Sequence, residues 1–241
     1  MPVTARQVTP RQLRRPRKRL DAIMEQLDAW VARHGNGRYE RGDFTPMEDF
    51  MIPDDAGIQQ DRGEIQEFVS LLLSRGQLGS VLEIGLGYYG STHFLWRLIF
   101  DKVTTIEKSH ERVRTFGTNL RAFCGRWVLD DHRSGFLIGM SSDTVTVQKA
   151  YQHLAGGLDL LFLDGDHQHH SVLTDWLLYN PLVRPGGLIA FHDAVMSVDG
   201  YYGVPEFLER LSRGAIDGRP RTIKTIAHTT NMGVAYYEQQ R

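Results

Sequence analysis

Three short runs carry the residues most able to do chemistry: Glu83-Ile84-Gly85-Leu86-Gly87, Asp164-Gly165-Asp166-His167 and His192-Asp193. Glycines let a backbone turn sharply and let a ligand come close. Asp164, His192 and Asp193 offer two carboxylates and an imidazole, a donor set for a divalent cation. Mg²⁺ or Mn²⁺ is favoured, with the softer Fe²⁺ or Zn²⁺ within reach. Asp166 and His167 are residue types that take a proton as a general base. Each run follows or ends an apolar stretch of strand length. In a parallel sheet the carboxyl ends of the strands share one edge, where open α/β folds bind ligands. Groups far apart in sequence are therefore expected to meet in one crevice.

The elements that would position them can be read from the apolar pattern. Strands are expected over residues 80–84, 102–106, 136–140, 158–163 and 187–191. Helices are expected over 92–100, 110–123, 144–154, 170–182 and 205–213. Short apolar strands alternating with helices mean a parallel sheet covered on both faces. The tail differs, with β-rich runs over 221–228 and 233–237 that read as a closing antiparallel hairpin. The fold class expected is α/β, a Rossmann-like three-layer sandwich with a mostly parallel seven-stranded sheet.

Upstream, Leu20, Ile23, Met24, Leu27, Trp30 and Val31 recur at helical spacing until Gly35. This amphipathic helix would pack on the main domain or on a second subunit, which leaves room for a homodimer. Asp61 with Glu64 three residues on has the form of a capping box, and Gly76 would end that helix. Residues 36–60 mix Gly, Pro and acids with Phe44, Met47, Phe50 and Met51, as an ordered loop or lid does. The expected organisation is an arm, helix and loop over 1–57 and a ligand-binding domain over 58–241.

Composition bounds the function. Net charge over 241 residues is −1, which weighs against electrostatic binding of nucleic acid by the whole molecule. Positive charge gathers only in the first 19 residues, at Arg6, Arg11, Arg14, Arg15, Arg17, Lys18 and Arg19, and reads as a solvated arm. The single cysteine, Cys124, permits no intrachain disulfide and fits a reducing, cytoplasmic setting. No apolar run approaches the roughly 18 residues of a membrane helix.

Gly85-x-Gly87-x-x-Gly90 matches the general dinucleotide pattern in a strand–turn–helix context. Glu107 ends the next strand, where a carboxylate can accept from both ribose hydroxyls of NAD or S-adenosylmethionine. Glu83 ahead of the glycines suits an amino group or sulfonium better than a pyrophosphate. With the terminal hairpin, it favours S-adenosylmethionine over NAD. Ser142, after the third strand, lies on the same edge and can meet the adenine. His169 and His170 read as solvated or capping residues.

The stretch from Leu158 to Ala194, above all Asp-Gly-Asp-His and Arg-Pro-Gly-Gly-Leu-Ile-Ala-Phe-His-Asp, resembles the class I S-adenosylmethionine-dependent methyltransferases. More narrowly, it resembles the branch of cephalosporin-hydroxylase-type proteins and macrolide-sugar or aminocoumarin-sugar O-methyltransferases. The resemblance spans about residues 58–238. It implies Mg²⁺ bound by Asp164, His192 and Asp193, and Asp166 as the base. It places Glu83, Gly85, Gly87, Glu107, Ser142 and Asp164 around the cofactor. The chain departs from the branch at His192, where relatives usually carry an oxygen ligand. That leaves the metal's identity open, and also a metal-free site with His167 or His192 as base.

The leading expectation is an O-methyltransferase acting on a hydroxyl of a sugar or aromatic small molecule. An NAD-dependent oxidoreductase and a non-catalytic binding module of the same fold stay open at this point.

Overall fold

The computed structural model describes residues 16–34, 60–76, 78–195, 202–228 and 232–240. The basic arm up to residue 15, the loop at 36–59 and the aromatic Tyr201 lie outside the described residues.

The sheet forms first from the parallel strands β1 (Ser80–Ile84), β2 (Lys102–Glu107), β3 (Ser134–Ile138), β4 (Leu158–Leu163) and β5 (Val183–Phe191). Two antiparallel strands, β6 (Lys224–Ile226) and β7 (Val234–Glu238), close it in the order β3-β2-β1-β4-β5-β7-β6. The expected seven-stranded, mostly parallel sheet is therefore present. The helices between strands are α3 (Ser91–Ile99), α4 (His110–Cys124), α5 (Thr144–His153), α6 (His169–Tyr179) and α7 (Val204–Ser212). Two more, α1 (Pro16–His34) and α2 (Arg62–Ser74), precede the sheet.

Strand alternation sorts the core into two layers. Val81, Val103, Leu160, Phe162 and Ala190 face α1 to α4, while Leu82, Ile84, Leu161, Leu163 and Phe191 face α5 to α7. Helix α1 buries its stripe within this chain: Trp30 is fully buried and stacks on Phe94 at 4.5 Å between ring centres. The stripe that left room for a second subunit is thus covered by the main domain. Residues 16–19, read as part of the solvated arm, form the first turn of that helix.

Other boundaries moved for local reasons. Strand β3 starts two residues earlier than its apolar pattern suggests, because its first residues, Ser134 and Gly135, carry no apolar signal. The helix expected over 170–182 ends at Tyr179, and a 3₁₀ turn at Asn180–Leu182 follows, where Pro181 lacks a donor N–H. Strand β5 starts at Val183 instead of 187. Leu158 pairs with Val183 and Leu160 with Leu188, so the intervening residues bulge out. The first hairpin strand is shorter than expected, while the second keeps its length and starts one residue later. Arg221 turns aside to pair with Asp217 at 2.8 Å, and the His228 N–H leaves the ladder for Glu64.

The capping box is half formed. Asp61 accepts from Glu64 N at 2.9 Å, as expected, but the Glu64 carboxylate reaches the C-terminal hairpin instead of returning to Asp61. Among the described residues, no helix is long and apolar enough to cross a membrane.

Candidate active site

The glycine turn joins β1 to α3 at the open edge of the sheet. Gly85 has φ 93, and a Cβ there would lie 2.1 Å from Asp164 O. Only glycine lets the ends of β1 and β4 come this close. Gly87 has φ 66, and a Cβ there would meet nothing within 4 Å. That space is where a cofactor would lie. The N-terminus of α3 follows, with Gly90 as a cap that has no side chain to offer. The Ser91 hydroxyl beside it is buried without a hydrogen-bond partner, and a bound ligand would satisfy it. The sequence reading missed Ser91, because a serine after a glycine turn carries no signal of its own.

Glu107 ends β2 and is 3% exposed. Its Oε2 accepts from Leu86 N at 3.0 Å and its Oε1 from Ser109 N at 2.8 Å. It therefore anchors the glycine turn, and each oxygen retains a lone pair for a further donor. Arg112 lies 3.8 Å from the same carboxylate and stacks its guanidinium on the exposed Tyr88 ring. Ser142 stands exposed on the loop after β3. The Tyr179 hydroxyl donates to Ser141 O and fixes that loop from α6.

Glu83 shares a strand face with Val81, so its side chain enters the layer of α3 instead of the open edge. It is fully buried; Oε1 accepts from Trp96 Nε1 at 3.0 Å and Oε2 from Thr105 Oγ1 at 2.6 Å. Burial pushes its carboxyl up to about 8, against the opposing hydrogen bonds from Thr105, Thr92 and Trp96. Glu83 is thus a neutral floor under the turn at pH 7.

A raised folded pKa stabilises fully below the unfolded value, and that contribution is lost as pH rises through the folded one. For Glu83 the window runs from 4.5 to about 8. Glu83→Gln mimics the neutral acid, and its amide can donate to Thr105. Relative to the wild type it is expected to gain on the order of 3 kcal/mol between about pH 5 and about pH 8. Urea unfolding at several pH values checks this, and parallel stability curves for the two proteins would show Glu83 ionised when folded.

The other half of the edge comes from β4 and β5. Leu163 pairs with Phe191, so the residues that follow, Asp164 and His192, emerge side by side. His192 Nδ1 lies 3.3 Å from Asp164 Oδ1 and 3.3 Å from Asp193 Oδ1. One ligand atom from each of Asp164, His192 and Asp193 falls within 4.8 Å of the others. Three hard or borderline donors at this spacing fit a divalent cation. Asp193 holds φ 53, the one positive φ among the described non-glycine residues. Phe191 opposes Ala235, yet Ala194 N bonds Gly233 O, so three steps on one strand answer two on the other. Asp193 takes up the extra residue, as in a β-bulge beside a site.

The electrostatics follow from this crowding. Burial works against charging His192, but Asp193 and Asp164 outweigh it and hold the imidazolium well above its usual range. Burial likewise opposes the charge on His167, and Asp193 again prevails, so that pKa is also raised. Burial alone would raise Asp193; His192 and His167 hold it well below the usual carboxylate range. Without a metal, the two acids are balanced by imidazolium.

The two candidate bases differ. His167 Nδ1 lies 2.6 Å from Asp193 Oδ2, and its ring centre is 5.1 Å from that of Tyr202. Asp166 is exposed and employed at the start of α6, where Oδ1 accepts from Gln168 N at 3.2 Å and Oδ2 from Ser171 Oγ at 2.8 Å. His169 and His170 sit in the first turn of α6, apart from the cluster. A residue the sequence did not single out completes the site: Gln60 Nε2 donates to Asp164 Oδ2 at 3.2 Å, while its buried Oε1 has no partner. Of residues 36–60, expected as an ordered loop or lid, residues 36–59 lie outside the described residues.

Comparison with known proteins agrees with this fold. Residues 82–194 match the model of a methyltransferase domain family. A 40-residue segment is 50% identical to the uncharacterized protein R132 of Acanthamoeba polyphaga mimivirus, covering 17% of this chain and 18% of that protein. In fold, the chain is similar to an O-methyltransferase from Bacillus cereus in complex with S-adenosylhomocysteine, with TM-score 0.56, 18% identity and coverage of 92% and 90% of the two chains. It is also similar to TomG of Streptomyces achromogenes, an O-methyltransferase of tomaymycin synthesis, with TM-score 0.51, 20% identity and coverage of 71% and 77%. A third neighbour is MycE of the mycinamycin pathway, in complex with Mg, S-adenosylhomocysteine and mycinamycin VI. There the TM-score is 0.54 and the identity 20%, and the match covers 89% of this chain and 54% of that one. Residues 82–194 are thus similar to a methyltransferase domain family, and the chain shares the fold of the solved O-methyltransferases.

Proposed function

We propose that the chain transfers a methyl group from S-adenosylmethionine to a hydroxyl of a small molecule, a sugar or an aromatic, with a divalent metal such as Mg²⁺ at the site. The observation that carries this reading is the convergence of Asp164, His192 and Asp193 beside the open glycine turn. S-adenosylmethionine, when bound, supplies an electrophilic methyl, and a divalent cation lowers the pKa of a hydroxyl held against it.

The rest is the work of this chain's residues. Gly85 lets the ends of β1 and β4 close together, and Gly87 leaves the turn open. The Glu107 oxygens face the place of a ribose, Ser142 the adenine end, and neutral Glu83 supports the turn from below. Asp164, His192 and Asp193 would hold the metal, which would orient the acceptor oxygen. His167, aligned through Nδ1 by Asp193, takes the hydroxyl proton at Nε2. Methyl transfer needs its two reacting atoms close and in line, so positioning dominates the rate. The Mg-bound neighbour MycE supports the metal assignment. The single cysteine is consistent with a cytoplasmic setting.

Calorimetric titration with S-adenosylhomocysteine, using NADH as the control, tests the cofactor. Micromolar affinity for S-adenosylhomocysteine alone is expected, weakened at least about tenfold in Glu107→Ala, as for a lost hydrogen bond to a charged acceptor. Binding of NADH instead would replace this reading with a dinucleotide enzyme.

A further inference from the structure

Helix α2 starts at the rim of the candidate site. Gln60, just ahead of its cap, touches Asp164. One turn on, Glu64 is 1% exposed. Its Oε1 accepts from His228 N at 2.7 Å and its Oε2 from Gly233 N at 2.9 Å. Those two donors flank the connection between β6 and β7. On the far side of the connection, Gly233 O accepts from Ala194 N at 3.1 Å and Met232 O from Val195 N at 3.0 Å. A continuous path of hydrogen bonds therefore runs from Glu64, through the hairpin, to the two residues after Asp193.

Asp193 needs such an anchor. Its φ of 53 is a conformation that side-chain-bearing residues seldom adopt. Regular ladder pairing is broken at this point, so the backbone does not fix itself. A carboxylate is well matched to the anchoring task, since it offers two acceptors and no donor to two facing N–H groups.

We propose that Glu64 is a positioning residue, whose carboxylate fixes the β6–β7 connection and through it the backbone of Asp193, setting the distance between Asp193 and Asp164. This rests on the metal reading given above. It adds that a buried carboxylate in the first turn of α2 determines whether the two strand-end acids can share one ion.

Glu64→Gln keeps the size but turns an acceptor into a donor, so one buried N–H loses its partner. Two measurements on the full chain are read together: amide exchange at Ala194 and Val195, and Mn²⁺ affinity by calorimetry. The expected result is faster exchange at those two amides with β4 unchanged. Mn²⁺ binding should weaken about 10- to 100-fold, as for groups that orient metal ligands. S-adenosylhomocysteine affinity should stay within about twofold, since the hydrogen bonds from His228 N and Gly233 N tie Glu64 to the hairpin. If Glu64→Gln does not fold, Glu64→Asp carries the same test, with both acceptors kept on a shorter arm. Unchanged Mn²⁺ affinity or unchanged exchange in the variant overturns the proposal. Absence of Mn²⁺ binding in the wild type overturns the metal reading, while the exchange data still report on the Glu64 anchor.

Discussion

Asp164→Ala is expected to lower methyl transfer by at least about a thousandfold while leaving S-adenosylhomocysteine affinity within about threefold. Asp164 touches three parts of the site at once, two through its carboxylate and one through its backbone. Oδ1 faces His192, Oδ2 accepts from Gln60, and its backbone carbonyl packs under Gly85. Alanine keeps that backbone and with it the glycine turn, so the cofactor side survives. What goes is one of the two carboxylates of the ion site. His192 then retains Asp193 alone, a pair too weak in charge to hold a hard divalent cation at ordinary concentration. Transfer measured with and without a chelator, before and after Mg²⁺ is restored, separates the two designs that the donor set allows. A wild type that ignores the chelator while Asp164→Ala is dead places the imidazolium of His192 in the role of the cation. Near-normal turnover in Asp164→Ala would falsify both designs and move the acceptor elsewhere on the edge.

The fold class was largely legible in the sequence, because five apolar strands alternate with helices and that alternation means a parallel sheet covered on both faces. Boundaries were lost where the apolar code falls silent. Ser134 and Gly135 belong to β3 through pairing with Val103 and Thr104, not through their side chains. Val183 belongs to β5 across a bulge that no local pattern announces. In the site, the convergence of Asp164, His192 and Asp193 followed from strand ends alone. The orientation of Glu83 did not follow from its motif: strand alternation sends it to Trp96 and Thr105. Gln60 and Glu64 were out of reach for a different reason. Each acts on a partner more than a hundred residues away, Asp164 in one case and Gly233 in the other, and only the folded chain brings them together.

His167 is the proposed base, and the comparison of His167→Ala with Asp166→Asn decides it. Asp166 is the residue that the family resemblance favours, yet both of its oxygens are engaged at the start of α6. A carboxylate so employed tethers the start of α6, whose N-cap residue is Gln168. Its loss should cost about 1 kcal/mol of stability and less than about tenfold in rate. His167 is placed differently. Asp193 holds its Nδ1 at 2.6 Å, which sets the tautomer and leaves Nε2 as the acceptor of a proton. The same carboxylate would also bind the metal, so base and ion are registered against one another by a single side chain. His167→Ala is therefore expected to lower transfer about 10²- to 10⁴-fold, the usual range for a general base. The acidic limb of the pH–rate profile should vanish in that variant, and added imidazole should restore part of the rate. Asp193→Asn should lose the rate more completely than His167→Ala, because it removes the metal ligand and the orienting partner together. If Asp166→Asn proves to be the crippled variant and His167→Ala keeps its acidic limb, the proton leaves by the carboxylate route, and the bonds at Gln168 and Ser171 must open when the acceptor binds.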